Sequence, residues 1–179
     1  MKQLFCSCLL IIISSICLGQ IMDTCKLSPL PSNSIFVEFA GHAAFFGSVN
    51  YERKIFNIKS FYLTGRAGVG YGRFFGYSIL SVPVIITGVL RVFRKISYEI
   101  GAGVSLMRIG NLSSQSGSNW SYKNDIAPTA LIGIRVQSKS GFLFRADFTP
   151  IYTNFNNDDT QKNLYPFFGI SLGYGFGVK

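Results

Sequence analysis

The sequence predicts an all-β protein, a closed eight-stranded antiparallel up-and-down transmembrane β-barrel, and three observations carry that prediction. Eight segments alternate with period two, each keeping one face apolar and free of charge. Charged residues make up only 14% of the chain and hydrophobic ones 48%, against roughly 25% charged in ordinary soluble domains. Beyond the N-terminal leader no apolar run approaches the ~20 residues a membrane helix needs; the longest, Ile79 to Leu90, is interrupted by Ser81, Pro83, Thr87 and Gly88.

The chain opens with Lys2, an apolar run from Leu4 to Leu18, and Gly19 before Gln20. This reads as a secretory signal peptide over 1–19, cleaved after Gly19, with an uncleaved membrane-anchoring helix as the alternative. A lipid anchor would need a small residue before the acylated cysteine, whereas Cys17 follows Ile16 and Cys25 follows Thr24. Removing the leader removes Cys6, Cys8 and Cys17, so Cys25 stands alone and no internal disulfide is expected. Residues 20–33, with Ser28-Pro29-Leu30-Pro31-Ser32, read as an N-terminal linker, and 34–179 as the barrel.

The first strand is expected over Ile35 to Gly41, with Ile35, Val37 and Phe39 outward and Phe36, Glu38 and Ala40 inward. The second covers Ala44 to Lys54, with Phe45, Val49 and Tyr51 outward and Ser48, Asn50 and Glu52 inward. Because Gly41-His42-Ala43 is a very short connection, 35–54 could instead be one long strand, which would leave seven. Seven strands cannot close as simple antiparallel pairs, so eight is preferred. The third strand, Phe61 to Gly72, turns Leu63, Ala67, Val69 and Tyr71 outward and Thr64 and Arg66 inward. The fourth, Ile79 to Phe93, turns Leu80, Val82, Val84, Ile86, Leu90 and Val92 outward and Ser81, Thr87 and Arg91 inward. Its Pro83 removes a ladder donor and implies a bulge.

The fifth, Ile96 to Leu106, is the clearest: Ile96, Tyr98, Ile100, Ala102, Val104 and Leu106 alternate with Ser97, Glu99, Gly101, Gly103 and Ser105. The sixth, Ile126 to Gln137, places Ile126, Ala130, Ile132, Ile134 and Val136 outward and Thr129, Arg135 and Gln137 inward. The seventh, Gly141 to Ile151, divides Phe142, Phe144, Ala146 and Phe148 from Leu143, Arg145, Asp147 and Thr149. The eighth, Pro166 to Phe176, divides Phe168, Ile170, Leu172, Tyr174 and Phe176 from Gly169, Ser171, Gly173 and Gly175. Tilted strands of about 9 to 11 residues suffice to cross a bilayer. The two long polar connections, Arg108 to Asp125 and Thr153 to Tyr165, follow odd strands, and the short turns at Arg94-Lys95 and Ser138 to Ser140 follow even ones. That alternation is the one outer-membrane barrels show.

With Val37-Glu38-Phe39-Ala40-Gly41, Ser48-Val49-Asn50-Tyr51-Glu52-Arg53, Gly68-Val69-Gly70-Tyr71-Gly72, Tyr98-Glu99-Ile100-Gly101-Ala102-Gly103 and Gly169-Ile170-Ser171-Leu172-Gly173-Tyr174-Gly175-Phe176, the chain resembles small outer-membrane β-barrel proteins of Gram-negative bacteria, the OmpA/OmpX-like eight-stranded class. The resemblance implies a place in the cell outer membrane, contact with its lipids, insertion by the barrel-assembly machinery and a monomer. Such families often end on a terminal aromatic; here Phe176 is followed by Gly177-Val178-Lys179.

The candidate site is the inward charge: Glu38, Glu52, Glu99 and Asp147 against Arg66, Arg91, Arg135 and Arg145. An eight-stranded barrel is just wide enough for side chains to fill, so these groups are expected to pair and plug the interior rather than line a pore. Inward glycines leave a narrow polar cavity as the lesser alternative. His42 is the only histidine; a Ser-His-acid group with Ser48 or Glu38 is conceivable, but a lone histidine in a short connection reads as a solvated residue, and no enzyme is expected. One histidine and one cysteine outside the leader give no metal-ligand spacing, and no cofactor or metal is expected. Asn157-Asp158-Asp159 reads as a hydrated loop tip, and Trp120 in the longest loop as the candidate for partner contact.

The formal charge of +9 is spread over strands and turns without basic-aromatic clustering, which argues against nucleic acid and suits anionic headgroups. Tyr51, Tyr71, Trp120, Tyr152, Tyr165 and Tyr174 fall near strand ends, as interfacial girdles would. The expected function is non-catalytic, structural or surface-interacting through outer loops. The alternatives are a soluble lipocalin-like barrel with the apolar set inward, a lipid-modifying enzyme or a narrow pore.

Overall fold

The computed structural model describes residues 30–43, 47–58, 60–74, 77–93, 95–112, 120–155 and 162–177. The alternating segments become eight strands: β1 Asn33–Ala40, β2 Gly47–Ile58, β3 Phe61–Phe74, β4 Tyr77–Arg91, β5 Ile96–Leu112, β6 Trp120–Gln137, β7 Phe142–Thr153 and β8 Asn163–Phe176. Each pairs antiparallel with the next, and β1 pairs antiparallel with β8, closing the barrel. The 35–54 segment is two strands: Ala40 and Gly41 take positive φ (58° and 63°), and a 3-10 turn at Gly41–Ala43 ends β1.

Period two places the apolar set outward on every strand. Phe39, Val69, Ile86, Ile100, Ile126, Ile132, Phe168, Ile170 and Tyr174 are exposed, while Glu38, Arg66, Thr87, Glu99, Arg135 and Arg145 are buried. A lipocalin-like arrangement needs the reverse, so that alternative fails. Closure matters for the same reason: in an apolar surround an open edge would leave a row of unpaired backbone groups, each costing several kcal/mol.

Two expectations need correction. Pro83 makes no bulge: the β3–β4 register is the same on both sides of it, with Ala67 opposite Val84 and Gly70 opposite Ser81. A missing N–H deletes one hydrogen bond without requiring an extra residue. The bulge falls in β2, where the pairing shifts between Lys54 and Phe56. Next, Arg108 to Asp125 is not all loop, because β5 and β6 stay paired to Leu112 and Trp120. Alternation continues there with Met107 and Ile109 buried and Arg108 exposed, so the polar outer side hid a strand that period two still marks. The inward face also carries an apolar layer. At the end away from the termini, Ile79, Met107, Ile109, Ala127, Ile151 and Phe167 form a buried cluster with Phe155 and Tyr165 packed on it.

At the opposite end Leu30 is buried, Lys54 Nζ donates to its carbonyl at 3.3 Å, and Ser32 N–H donates to the Gly177 carbonyl at 3.0 Å. This last stretch of the expected linker is docked at the barrel mouth. Residues 1–29, with the leader, Cys25 and the rest of the linker, lie outside the described residues, as do Phe45, the tip 113–119, and 156–161 with Asn157-Asp158-Asp159.

Candidate functional site

Between the apolar cluster and the docked N-terminal stretch the interior is charged. Arg135 on β6 and Arg145 on β7 stand directly opposite each other, a like-charge pairing that is unfavourable by itself. Two carboxylates resolve it. Glu52 accepts from Arg135 at 2.7 Å and from Arg145, while Glu99 contacts Arg135 and lies 3.3 Å from Arg145 Nε. The four side chains, exposed by 3% or less, form an alternating ring in which every acid touches both guanidiniums. Tyr62 on β3 adds its hydroxyl, accepting from Arg135 Nη1 at 3.3 Å, and the Arg145 guanidinium stacks 4.5 Å from the Phe36 ring centroid.

A second group forms under the turn between β1 and β2. Arg66 Nη2 donates to Glu38 Oε2 at 2.6 Å and lies 2.6 Å from His42 Nδ1. The same Nδ1 also lies 3.1 Å from Glu38 Oε1, so the ring sits between an arginine that only donates and a carboxylate that only accepts. Glu38 Oε1 accepts the His42 backbone N–H at 3.0 Å, and Asn50 Nδ2 reaches Glu38 Oε2 at 3.4 Å and Ser48 Oγ at 2.7 Å. His42 is fully buried, which overturns its reading as a solvated loop residue. A positive-φ Gly41 folds the turn into the lumen, where the ring replaces water with Glu38 and Arg66. Among the described residues Ser48 Oγ accepts from Asn50 Nδ2 rather than meeting the imidazole, and His42 Nε2 has no hydrogen-bond partner.

The two expected charges outside these ion pairs are Asp147 and Arg91. Asp147, 5% exposed on β7, has neither carboxylate oxygen hydrogen-bonded among the described residues. Arg91 is half-buried near the end of β4, where its backbone N–H donates to Ser60 O at 2.8 Å. Trp120 opens β6 with its backbone paired to Leu112; its side chain lies outside the described residues. Among the described residues no three His, Cys, Asp or Glu side chains gather to hold a metal ion.

Sequence reasoning missed a polar strap at the end away from the termini. Asp125 accepts from Lys162 Nζ at 2.7 Å and from Thr153 Oγ1 at 2.7 Å, joining β6, β7 and the segment leading into β8. Its signal was parity, since Asp125 shares the inward set with Ala127 and Thr129. Tyr62 also escaped notice, though readable from its parity with Thr64 and Arg66, and the burial of His42 was missed because that residue carries no periodic signal.

No protein-family model matches the chain, and no curated protein matches it in sequence. Solved structures do match in shape. The outer-membrane protein Ail of Yersinia pestis, the attachment invasion locus protein, is 10% identical over 82% of this chain and 99% of its own, with a TM-score of 0.55. Its backbone structure in a phospholipid bilayer nanodisc is 13% identical over 83% and 100%, with a TM-score of 0.52. The N-terminal β-barrel domain of Pseudomonas aeruginosa OprF is 12% identical over 79% and 95%, with a TM-score of 0.50. Identities this low carry the fold alone, and the chain has the fold of the small eight-stranded outer-membrane barrels.

Proposed function

We propose that this chain is an integral protein of the cell outer membrane, monomeric and non-catalytic, that acts as a structural element or through its outer hairpins. The observation that carries this reading is the exposed apolar surface on all eight strands, around an interior where buried charges pair. In water, contiguous exposed apolar patches rarely exceed a few hundred Å² on a monomer; here exposed aliphatic and aromatic side chains encircle the barrel. Lipid is the solvent that suits them, and the fold shared with Ail and OprF supports it. An N-terminal signal peptide and delivery by the barrel-assembly machinery belong to the same reading.

The interior favours a plug over a pore. An alternating ring of two arginines and two glutamates spans β2, β5, β6 and β7, and an apolar cluster lies beyond it, so neither layer offers a hydrated path through an eight-stranded barrel. The outer hairpins then carry the task. An attachment role, as in the name of Ail, fits hairpins that project beyond the apolar band. Electrophoresis tests the reading: the chain in detergent should stay folded in SDS at room temperature and change mobility on boiling. Recovery as a detergent-free soluble monomer would refute it.

A further inference from the structure

We infer that the outward face of β4, β5 and β6 holds one phosphate-bearing lipid at the end away from the termini, a site that rests on the membrane reading proposed above. The ladder builds it rung by rung. Leu80, Arg108 and Asn124 share one rung, and Val82, Leu106 and Ile126 share the next toward the middle of the barrel wall. With Met107 and Asp125 these six line a groove of about 440 Å³. Its lower rung is apolar, and its upper rung bears a guanidinium and an amide. The strand sets the depth. Outward positions 96 to 106 of β5 carry no charge, and a tilted strand crosses the hydrocarbon in about 9 to 11 residues. Arg108 is the next outward position and is exposed, so it stands where headgroups begin.

Charge decides the occupant. Arg108 stacks 4.6 Å from the Tyr122 ring centroid and is in no ion pair among the described residues. The acid at the groove, Asp125, is held by Lys162 Nζ and by Thr153 Oγ1, each at 2.7 Å. The other described charges at this level, Lys123 beside Asn124 and Arg73 one rung above on β3, are cations. An arginine fork matches phosphate oxygens, and a neighbouring amide can donate to one more. Below the charge the wall is shaped for a chain. Gly88, Ala102 and Ala130 leave a second recess of about 700 Å³, edged by Ile86, Ile100 and Phe148. The two recesses share β4, β5 and β6, with one rung, Val84, Val104 and Pro128, between them. A headgroup at Arg108 with its acyl chain running down these strands meets both. A soluble anion would use only the first, and an uncharged lipid only the apolar part.

The test is native mass spectrometry of the full-length protein, folded in uncharged detergent, with diphosphoryl lipid A or the same lipid lacking its phosphates, with and without excess inorganic phosphate. Wild type should retain one diphosphoryl lipid A and hold the phosphate-free form about tenfold less. Arg108→Gln should bring the phosphorylated lipid down to the phosphate-free level, whereas Lys139→Gln, which removes the same charge at the opposite end, should leave retention unchanged. Val82→Trp, which fills the groove and keeps the arginine, should also lower retention, and it decides the matter if Arg108→Gln fails to fold. The mobility shift on boiling is read for each protein. A wild type without that shift refutes the membrane reading and this site with it. Four results from a folded barrel overturn the site alone: equal retention of both lipids, undiminished retention in Arg108→Gln, displacement of the lipid by inorganic phosphate, or a dimer in place of the lipid adduct.

Discussion

Arg135 and Arg145 show what one residue does in this interior. Each is almost fully buried, and each is tolerable only because Glu52 and Glu99 stand between them. Removing one partner of a buried ion pair costs about 3–5 kcal/mol, because the other charge stays behind. Glu52→Gln should therefore destabilise the barrel by that order, read from denaturant unfolding in detergent. Replacing Glu52 and Arg145 together by apolar residues of similar volume should cost much less than the two single changes combined, which a double-mutant cycle measures directly. His42 illustrates the limit of reading single residues. Parity marked Glu38 and Arg66 as inward, but His42 lies in a turn outside any alternation. Its burial follows from backbone geometry at Ala40 and Gly41, which sequence alone does not display.

Strands and hairpins are where alternation was legible and where its end points were not. All eight strands were readable because each keeps its uncharged face. Their outer limits were missed because Arg108 and Asn124 sit on the outward face once β5 and β6 rise above the apolar band, ending the apolar signal while the hydrogen-bond ladder continues. β5 and β6 stay paired up to Leu112 and Trp120, so replacing 113–119 with a short Gly-Ser turn should leave the unfolding midpoint within experimental error while removing any binding that segment provides. The Asp125 strap predicts a contrasting, small effect. Lys162 is about one-third exposed, so Lys162→Met should cost no more than about 1 kcal/mol, as unfolding in detergent would show.

At the scale of the molecule, closure and sidedness act together. The β1–β8 pairing removes the open edge, the outward set meets an apolar medium, and the inward set pairs its charges in the space that eight strands leave. Sequence carried the uncharged face of each strand, while the count of eight rests on seven strands being unable to close, and pattern alone allows that face to meet either lipid or a lipocalin-like interior. It could not carry which acid meets which arginine, because ring partners such as Glu52 and Arg135 lie on strands far apart in the chain and meet only across the closed lumen. A charge placed outward should be felt as a membrane penalty: Ile100→Arg, near the middle of the alternating apolar run 96–106 of β5, should cost about 2–4 kcal/mol when unfolding is followed in lipid vesicles.

Spin labels placed one at a time along 96–106 in vesicle-reconstituted protein test the central claim most directly. The account predicts that labels at 98, 100, 102 and 104 collide freely with oxygen and are shielded from a water-soluble nickel chelate, while labels at 99, 101, 103 and 105 are shielded from both. Free access of the chelate to the even positions, or the loss of alternation altogether, would contradict it.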